Sequence, residues 1–308
     1  MGRACITAIL VVAMFIAAGN GAVADDANCQ LTNFAKFDMD VDGSGRVNVP
    51  ISINGQTVHF LVDTGAAASI VSASTASLPG MRIFRTGRVY MELYGGSKTN
   101  AFVFVQNSTF GDMKPGYHPF FVVPDSRFPS GVAGLLGSDV LQNFDVEFDF
   151  ANSQLGIFSQ NHCAGRVVYW TRDPYASVEF TLDRAGHIRV PVGLNEGVTL
   201  GTIDSGAAET VGSLEDITGG LHIEQSDPAL KAVPDTKGQI HLYRYPFKTL
   251  TLDGVTVNNP DILLVPNDVS KLPPDQRQLI IGMNVLRHFH LYIAYGEHVM
   301  YVTPATAH

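Results

Sequence analysis

The stretch LVDTGAAAS, residues 61–69, places an aspartate directly after apolar residues that read as a buried strand. An unpaired carboxylate is costly to bury in such surroundings, so Asp63 needs a specific reason to be there. Residues 202–210, TIDSGAAET, repeat the same order with Asp204 in the equivalent place. The chain therefore carries one aspartate–hydroxyl–glycine element twice, and this repetition decides how the rest of the sequence is interpreted.

The repeat extends well beyond the two aspartates. A shift of 204 − 63 = 141 positions aligns residues 37–72 with the second half without a gap, including Val49-Pro50 with Val190-Pro191. The ends of the halves align at an offset of 145, where GLLGSDVLQNFDVEFDF (134–150) meets LIIGMNVLRHFHLYIAY (279–295). One duplication with so long a period predicts two similar lobes rather than a solenoid.

Each half reads as a mostly β lobe. RVNVPISI (46–53) and HIRVPVGL (187–194) alternate apolar and polar residues with a period of two, which is typical of half-buried strands. We expect one helical turn in each lobe, at 138–144 and at 284–289. The predicted fold class is mostly β, with two similar β-barrel-like lobes and a cleft between them.

Residues 1–24 have the features of a signal peptide. A short positive start precedes the apolar stretch 6–18, and the small residues AVA end at Ala24, where cleavage is expected. The apolar stretch is too short to favour a membrane span. We therefore expect an exported protein, periplasmic or secreted, with an N-terminal lobe at 25–165 and a C-terminal lobe at 166–308.

The composition narrows the classes of partner. Hydrophobic residues make up 45% and charged residues 16% of the chain, which describes a globular protein. The net charge of −9 does not provide the basic face that a nucleic-acid binder needs. We expect a monomer with no nucleic-acid partner, no stable membrane insertion, no cofactor and no metal.

Two cysteines, Cys29 and Cys163, remain once the signal peptide is removed. In an oxidising compartment this number favours one disulfide, which would tie the N-terminus to the region between the lobes. The alternative is two separate buried thiols.

Two similar lobes would each deliver one aspartate to a shared interface. Close carboxylates cannot both ionise cheaply, so one pKa falls, the other rises, and the pair holds one proton. One carboxylate of such a pair can act as the base that activates a water, while the other donates a proton to a carbonyl oxygen. Gly65 and Gly206 permit the loops to approach closely, and the hydroxyls of Thr64 and Ser205 can hydrogen-bond across to the opposite loop.

These motifs resemble those of the aspartic proteases. VDTGAAAS (62–69) and IDSGAAET (203–210) are each followed by two apolar residues and a glycine, at 135–137 and 280–282. The DTGA form resembles the retropepsin-like branch, whose members are usually homodimers of one lobe, whereas two fused lobes resemble pepsins. The resemblance covers essentially the whole mature chain and implies a bilobal aspartic-protease fold.

By this resemblance Asp63 and Asp204 are the catalytic dyad, supported by the loop residues Thr64, Gly65, Ser205 and Gly206. The implied activity is that of an aspartic endopeptidase acting on a peptide or protein. The implied reaction is hydrolysis by a water activated between two aspartates, without a covalent intermediate.

A flap should cover such a cleft. Residues 88–105, RVYMELYGGSKTNAFVFV, contain a strand, a turn at Gly95-Gly96 and a second strand, which fits a hairpin. Tyr90 or Tyr94 would then contact substrate, although ordinary packing is the alternative for both. A counterpart in the second lobe is expected around 235–245.

Other polar motifs are interpreted as structural. DMDVDGSG (38–45) begins like an EF-hand loop, but Val49 stands where the loop needs a glutamate, so a hairpin turn is expected. His288 and His290 lack partners at metal-ligand spacing and are expected to be ordinary surface or packed histidines. Glu209 either points to solvent, raises the pKa of the dyad or binds a basic substrate side chain.

Three functions compete for this sequence. The leading one is an aspartic endopeptidase, because neither aspartate is lost. The second is a non-proteolytic module that binds peptides or proteins in the same cleft. The third is a structural role in which the lobes serve only as an interaction surface.

Overall fold

The computed structural model describes residues 29–87, 90–93, 97–105, 108–111, 118–234, 240–270 and 279–306. The predicted signal peptide, residues 1–24, lies outside this part of the chain. The mostly β, two-lobed fold of the aspartic-protease type that the sequence predicts is confirmed. Each lobe has one large sheet, and a third sheet is shared between the lobes.

The first half of the chain forms short strands with few helical turns. Its strands are β1 (Asn33–Asp38), β2 (Asp40–Val41), β3 (Val47–Ile53), β4 (Gln56–Val62), β5 (Ile70–Ser72), β6 (Ile83–Arg85), β7 (Met91–Glu92), β8 (Lys98–Thr99), β9 (Ala101–Val105), β10 (Ser108–Thr109), β11 (His118–Val123), β12 (Val132–Leu136), β13 (Asp145–Asp149) and β14 (Gln154–Phe158). Its helical segments are α1 (Ser138–Leu141) and the 3₁₀ turns Thr75–Ser77 and Asp125–Arg127.

The second half repeats this plan with more helix. Its strands are β15 (Ala176–Glu179), β16 (Thr181–Leu182), β17 (Ile188–Leu194), β18 (Gly197–Ile203), β19 (Thr210–Ser213), β20 (Lys231–Pro234), β21 (Ile240–Arg244), β22 (Thr249–Leu252), β23 (Val255–Asn258), β24 (Ile262–Val265), β25 (Leu279–Ile281), β26 (Phe289–Ala294) and β27 (Val299–Pro304). Its helices are α2 (Leu214–Gly220), α3 (Asn267–Ser270) and α4 (Met283–Leu286).

The duplication is visible in the strand bounds and in the pairing. β17 begins 188 − 47 = 141 residues after β3, and α4 begins 283 − 138 = 145 residues after α1. In the N-terminal lobe β4 pairs in parallel with β12, and β12 pairs antiparallel with β5. In the C-terminal lobe β18 and β25 are parallel, and β25 and β19 are antiparallel. The two lobes therefore present the same strand ends to the interface between them.

The shared sheet joins the lobes beneath this interface. Its strand order is β1-β14-β13-β26-β27-β15, so the central pair β13–β26 brings one strand from each half together. These two strands are antiparallel, with Val146 opposite Ile293 and Phe148 opposite Leu291. Those four side chains belong to one buried hydrophobic core that extends through both lobes. Burial of this continuous apolar surface favours the association of the lobes.

The expectation of one helical turn per lobe is wrong for the C-terminal lobe, which also contains α2 and α3. The hydroxyl of Ser213 caps α2 by accepting a hydrogen bond from the Asp216 backbone nitrogen at 3.1 Å. Glu215 and Asp216 lie in its first turn, where the helix dipole favours negative charge. In the first lobe the Ser72 hydroxyl also accepts a hydrogen bond from the Thr75 backbone nitrogen, at 3.1 Å, but only a 3₁₀ turn, Thr75–Ser77, follows there.

Cys29 and Cys163 form a disulfide, with their Cα atoms 5.0 Å apart. The bond joins the residues before β1 to the connection 159–175 between β14 and β15. It therefore closes a loop that contains most of the N-terminal lobe. In the described part of the chain, no helix has both the length and the apolar character needed to cross a membrane.

We predict that Cys29→Ser and Cys163→Ser each lower the free energy of unfolding by about 2 to 5 kcal/mol, because the unfolded chain gains freedom. Denaturant unfolding of each variant measures the loss. The double variant should lose no more than either single variant, since all three lack the same bond. Variants as stable as the wild type would contradict a stabilising disulfide.

A network of buried acids and histidines covers the outer face of the shared sheet. Asp145 is 0% exposed, and one of its carboxylate oxygens lies 2.5 Å from Nε2 of His162 on the connecting segment. Glu147 lies 2.9 Å from Nε2 of His290, and its other oxygen accepts a hydrogen bond from the hydroxyl of Tyr169 at 2.6 Å. Burial raises the pKa of Asp145 above its ordinary value, although hydrogen bonding to His162 opposes the rise.

This raised pKa predicts a stability that declines as the pH rises. Because Asp145 binds its proton more tightly in the folded state, its contribution is fully present below the unfolded pKa of about 4. That contribution is lost as the pH rises through the folded-state pKa. Melting temperatures measured from acid to neutral pH should therefore fall more steeply for the wild type than for Asp145→Asn. Parallel curves for the two proteins would show that ionisation of Asp145 does not cause the decline in stability.

Candidate active site

The two aspartates follow equivalent strands at the interface between the lobes. Asp63 comes directly after β4, and its backbone nitrogen donates to the carbonyl of Leu136 at 3.0 Å. Asp204 comes directly after β18, and its nitrogen donates to the carbonyl of Ile281, also at 3.0 Å. The parallel pairing of β4 with β12 and of β18 with β25 thus fixes where each aspartate leaves its sheet.

The glycines of the apolar-apolar-glycine motifs let the chain pass closely behind each aspartate loop. A Cβ atom on Gly137 would lie 2.9 Å from the carbonyl oxygen of Ala66, and one on Gly282 would lie 2.9 Å from that of Ala207. The residues that follow these glycines also hydrogen-bond to the loops. The backbone nitrogen of Ser138 donates to the carbonyl of Ala66, and that of Met283 donates to the carbonyl of Ala207, each at 2.8 Å. These motifs therefore pack against the aspartate loops and hydrogen-bond to them.

The structure brings Asp63 and Asp204 together. Gly65 lies against the carboxylate of Asp204, and Gly206 lies against the carboxylate of Asp63, so closely that a Cβ at either glycine would overlap it. Each carboxylate is therefore in contact with the loop of the opposite lobe. Only glycine permits this approach at the two positions.

Crossed hydrogen bonds lock the two loops to each other. The hydroxyl of Thr64 donates to the carbonyl of Ile203 at 2.8 Å and accepts from the backbone nitrogen of Ser205 at 3.0 Å. The hydroxyl of Ser205 donates to the carbonyl of Val62 at 2.7 Å and accepts from the nitrogen of Thr64 at 3.1 Å. Thr64 is 0% exposed and Ser205 is 2% exposed, so these groups have no water to replace the bonds.

The electrostatics of the pair are unequal. Burial and the neighbouring negative charge of Asp204 raise the pKa of Asp63 well above its ordinary value. Burial also raises the pKa of Asp204, but the backbone amides of Ala207 and Gly206, the hydrogen bond with Asp63 and the charge of His187 oppose the rise. These influences favour the shared proton on Asp63 rather than on Asp204. Both aspartates are half-buried rather than fully buried.

A further hydrogen-bonded pair supports the N-terminal loop. The hydroxyl of Ser69 donates to Oδ1 of Asp139 at 2.7 Å and accepts from the backbone nitrogen of Gly137 at 2.9 Å. The second carboxylate oxygen of Asp139 lies 2.9 Å from Nε2 of His118. This pair connects the aspartate loop to α1.

The C-terminal lobe has the same support without the histidine. Thr210 donates its hydroxyl hydrogen to Oδ1 of Asn284 at 2.7 Å, and the nitrogen of Gly282 donates to the Thr210 hydroxyl at 3.1 Å. Sequence reasoning missed both supports. The signal was a hydroxyl residue six positions after each aspartate, in register in both repeats.

The flap region forms a short hairpin in its described part. β7 pairs antiparallel with β8, and the nitrogen of Leu93 donates to the carbonyl of Ser97 at 2.7 Å. Tyr90 is 59% exposed beside this hairpin, with Nζ of Lys98 lying 4.8 Å from its ring centroid. The other predicted flap residues, Tyr94, Gly95 and Gly96, lie outside the described residues.

The counterpart in the second lobe is much shorter. β20 and β21 form a hairpin joined by residues 235–239, which also lie outside the described residues. By contrast, residues 86–100 separate the corresponding strands β6 and β9 of the first lobe. The extended hairpin is therefore a feature of the N-terminal lobe.

Glu209 adds a second difference between the lobes. It is exposed, and its carboxylate lies 3.8 Å from Nη2 of Arg244, whose Nε is 2.6 Å from Asp261. The equivalent position in the N-terminal lobe is the uncharged Ala68. The C-terminal lobe therefore carries a charge at this position of the repeat, where the N-terminal lobe has an uncharged residue.

The acidic turn at Asp42 serves a structural role. Its Oδ1 accepts hydrogen bonds from the backbone nitrogens of Ser44 and Arg46, and its Oδ2 binds the Arg46 guanidinium at 2.7 Å. These bonds close the hairpin before β3. Within the described ranges, no group of three or more histidine, cysteine, aspartate or glutamate side chains is placed to hold a metal ion.

The arrangement of two β lobes that each contribute one aspartate to a shared pair is similar to that of the bilobal aspartic proteases. In agreement, residues 49–143 match the model of a family described as "gag-polyprotein putative aspartyl protease". The match confirms the resemblance to the retropepsin-like aspartic proteases. The matched range contains the first aspartate loop and the glycine motif that supports it. A comparison with curated proteins found no match.

We predict that Thr64→Val destabilises the protein by about 1 to 3 kcal/mol, because it leaves the buried carbonyl of Ile203 and the nitrogen of Ser205 without partners. Thr64→Ser keeps the hydroxyl and is the matched control, with a smaller loss expected. Ser205→Ala should behave like Thr64→Val, since the bonds are reciprocal. Denaturant unfolding measures all three, and a Thr64→Val protein as stable as the wild type would contradict the crossed-bond account.

Proposed function

We propose that this protein is an exported aspartic endopeptidase that hydrolyses peptide bonds with a water activated between Asp63 and Asp204. The single observation that carries the proposal is the contact between the two carboxylates, one in each lobe, in unequal surroundings. Such a pair can supply an acid and a base at the same pH.

The inequality of the pair suggests the role of each aspartate. Asp204, the charged member, would accept a proton from a water lying between the carboxylates and so make the water nucleophilic. Asp63, the protonated member, would donate its hydrogen toward the carbonyl oxygen of the scissile bond. The water oxygen then bonds to the carbonyl carbon, and proton transfer to the amide nitrogen releases the two products. No covalent bond to the enzyme forms in this sequence.

The substrate would be an extended peptide segment. A cleft between two β lobes with a hairpin beside it offers backbone groups that can pair with an extended chain. The flap hairpin on one side and Glu209 on the other make the cleft asymmetric, so the two directions of a peptide are not equivalent. Both aspartates come from one chain, which supports a monomeric enzyme.

Export is proposed on two grounds. The first 24 residues have the composition of a signal peptide. The disulfide between Cys29 and Cys163 is of a kind that persists in oxidising compartments such as the periplasm or the extracellular space. The negative net charge supports the absence of a nucleic-acid partner.

The test is cleavage of a diverse peptide mixture by the mature protein at pH values from about 3 to 7, a range that brackets carboxyl ionisation. Mass spectrometry identifies the products. Asp63→Asn and Asp204→Asn preserve side-chain shape but remove the carboxylates, so each should lower the cleavage rate by at least about 10³-fold. Activity should be lost as the pH rises through the raised pKa of Asp63, because its proton is then gone.

Two outcomes would contradict the proposal. If the wild type leaves every peptide intact, the cleft is better explained as a peptide-binding module, which binding measurements with the same mixture would detect. If both asparagine variants cleave as well as the wild type, the dyad is wrongly assigned.

A further inference from the structure

The C-terminal lobe contains a cavity of about 440 Å³ outside the site of the two aspartates. Its lining includes all of strand β23 (Val255–Asn258) and the turn from α4 into β26, at Arg287 and His288. Pockets that bind small ligands commonly measure about 300 to 1,000 Å³. This cavity is therefore large enough to hold part of a peptide.

The cavity is separate from the dyad, although it adjoins the support of the Asp204 loop. Asn284 lines the cavity, and its backbone nitrogen donates to the carbonyl of Ala208 at 3.1 Å. Neither Asp63 nor Asp204 belongs to the lining. A molecule bound here would therefore occupy a place other than the cleft between the aspartates.

The cavity reaches a free edge of a sheet. Strand β23 is the last strand in the sheet of the C-terminal lobe, and among the described strands it pairs with β22 alone. Consecutive side chains of a strand point to opposite faces, yet all four residues of β23 line the cavity. A cavity confined to one face would be lined by alternate side chains, so this one extends along the edge.

The backbone of β23 presents hydrogen-bonding groups at this edge. The nitrogen of Asn259, just after the strand, donates to the carbonyl of Lys248 at 2.8 Å. Hydrogen-bonded positions alternate along an antiparallel pair, so the backbone groups of Val257 face β22. Those of Thr256 and Asn258 then face the free edge. Such an edge can accept an extended peptide as one more strand.

The charged groups of the lining favour an anionic ligand. Arg287 and His288 are exposed, and neither has an ion-pair partner among the described residues. The one acidic residue of the lining is Asp261, whose carboxylate already lies 2.6 Å from Nε of Arg244. Arg287 is therefore available to a carboxylate from outside the protein.

The repeat shows that this charge belongs to the second lobe only. Arg287 and His288 correspond to the uncharged Gln142 and Asn143 of the first lobe, at the offset of 145. The first lobe therefore does not offer the same cations at the end of α1.

The remaining groups of the lining suit a peptide. The side-chain amides of Asn258 and Asn259 can both donate and accept hydrogen bonds, as a peptide backbone requires. Val285 and Pro304 add apolar surface. The cavity thus combines a strand edge, a cation, amides and apolar contacts.

We propose that this cavity binds an extended peptide segment that carries an acidic side chain. The segment would add as a strand to the edge of β23 and place its carboxylate on Arg287. A guanidinium can hold a carboxylate through two parallel hydrogen bonds, which favours an acidic segment over a neutral one. The inference goes beyond the proposed function and does not require catalysis.

The test is fluorescence anisotropy with a dye-labelled hexapeptide in which valine and glutamate alternate, beside a counterpart with glutamine for glutamate. The glutamate peptide should bind the wild type at least about 10-fold more tightly, the effect of one charge-assisted hydrogen bond. Arg287→Gln should lose this preference by weakening the glutamate peptide alone, which a double-mutant cycle detects.

Two further variants serve as controls. Arg184→Gln changes another exposed arginine of the same lobe, one that does not line the cavity, and should bind like the wild type. Asp204→Asn should also bind like the wild type, because the dyad takes no part, and it prevents cleavage of the probe.

Amide hydrogen exchange on the wild type locates the bound peptide. Binding should slow exchange at Thr256 and Asn258, whose amides face the edge, more than at Val257, which already faces β22. This measurement needs no variant, so it also covers the case in which Arg287→Gln does not fold.

Several results would overturn the proposal. They are equal binding of the two peptides, a preference unchanged in Arg287→Gln, or a Kd for the glutamate peptide weaker than about 1 mM. Self-association that is lost in Arg287→Gln would identify a second copy of the chain as the occupant instead.

The same experiments separate this inference from the proposed function. Protection confined to the loops at 63–66 and 204–207 would place the peptide between the aspartates, which overturns this inference but agrees with the proposed function. If the glutamate peptide binds along β23 and no peptide is cleaved, the proposed function fails while the binding site stands.

Discussion

The crossed hydrogen bonds of Thr64 and Ser205 are the interaction on which the rest of the site depends. They use two hydroxyls to satisfy four backbone groups across the interface, in surroundings that exclude water. Because the loops are held this close, glycine is needed beside each carboxylate. Because the carboxylates then meet, they share one proton. The chemistry of the pair thus follows from how the loops are tied together.

The duplicated frame explains the symmetry of the site, and the departures from the repeat make its two sides different. Three features differ between the lobes. The first lobe has the extended hairpin β7–β8, whereas the second lobe has Glu209 where the first has Ala68, and His187 where the first has Arg46. The shared sheet, through the pairing of β13 with β26, holds the two lobes together.

Local patterns and the internal repeat made much of this predictable from the sequence. The alternation in 46–53 and 187–194 predicted β3 and β17, and the repeated motif located both aspartates. The bond from Ser69 to Asp139 escaped prediction because the partners are 70 residues apart. The partner of His290 is Glu147 on the other half, which only the pairing of β13 with β26 reveals. The sequence does not predict helix α2, and the equivalent segment of the first lobe forms only the 3₁₀ turn Thr75–Ser77.

The most direct test of one shared site is calorimetric binding of a peptide that carries a hydroxyl-bearing tetrahedral carbon in place of the scissile carbonyl. Such a group mimics the state that the dyad would stabilise. The account predicts one molecule bound per chain, with the affinity greatly reduced in Asp63→Asn and in Asp204→Asn. Binding that is unaffected by both substitutions, or a stoichiometry of two per chain, would contradict it.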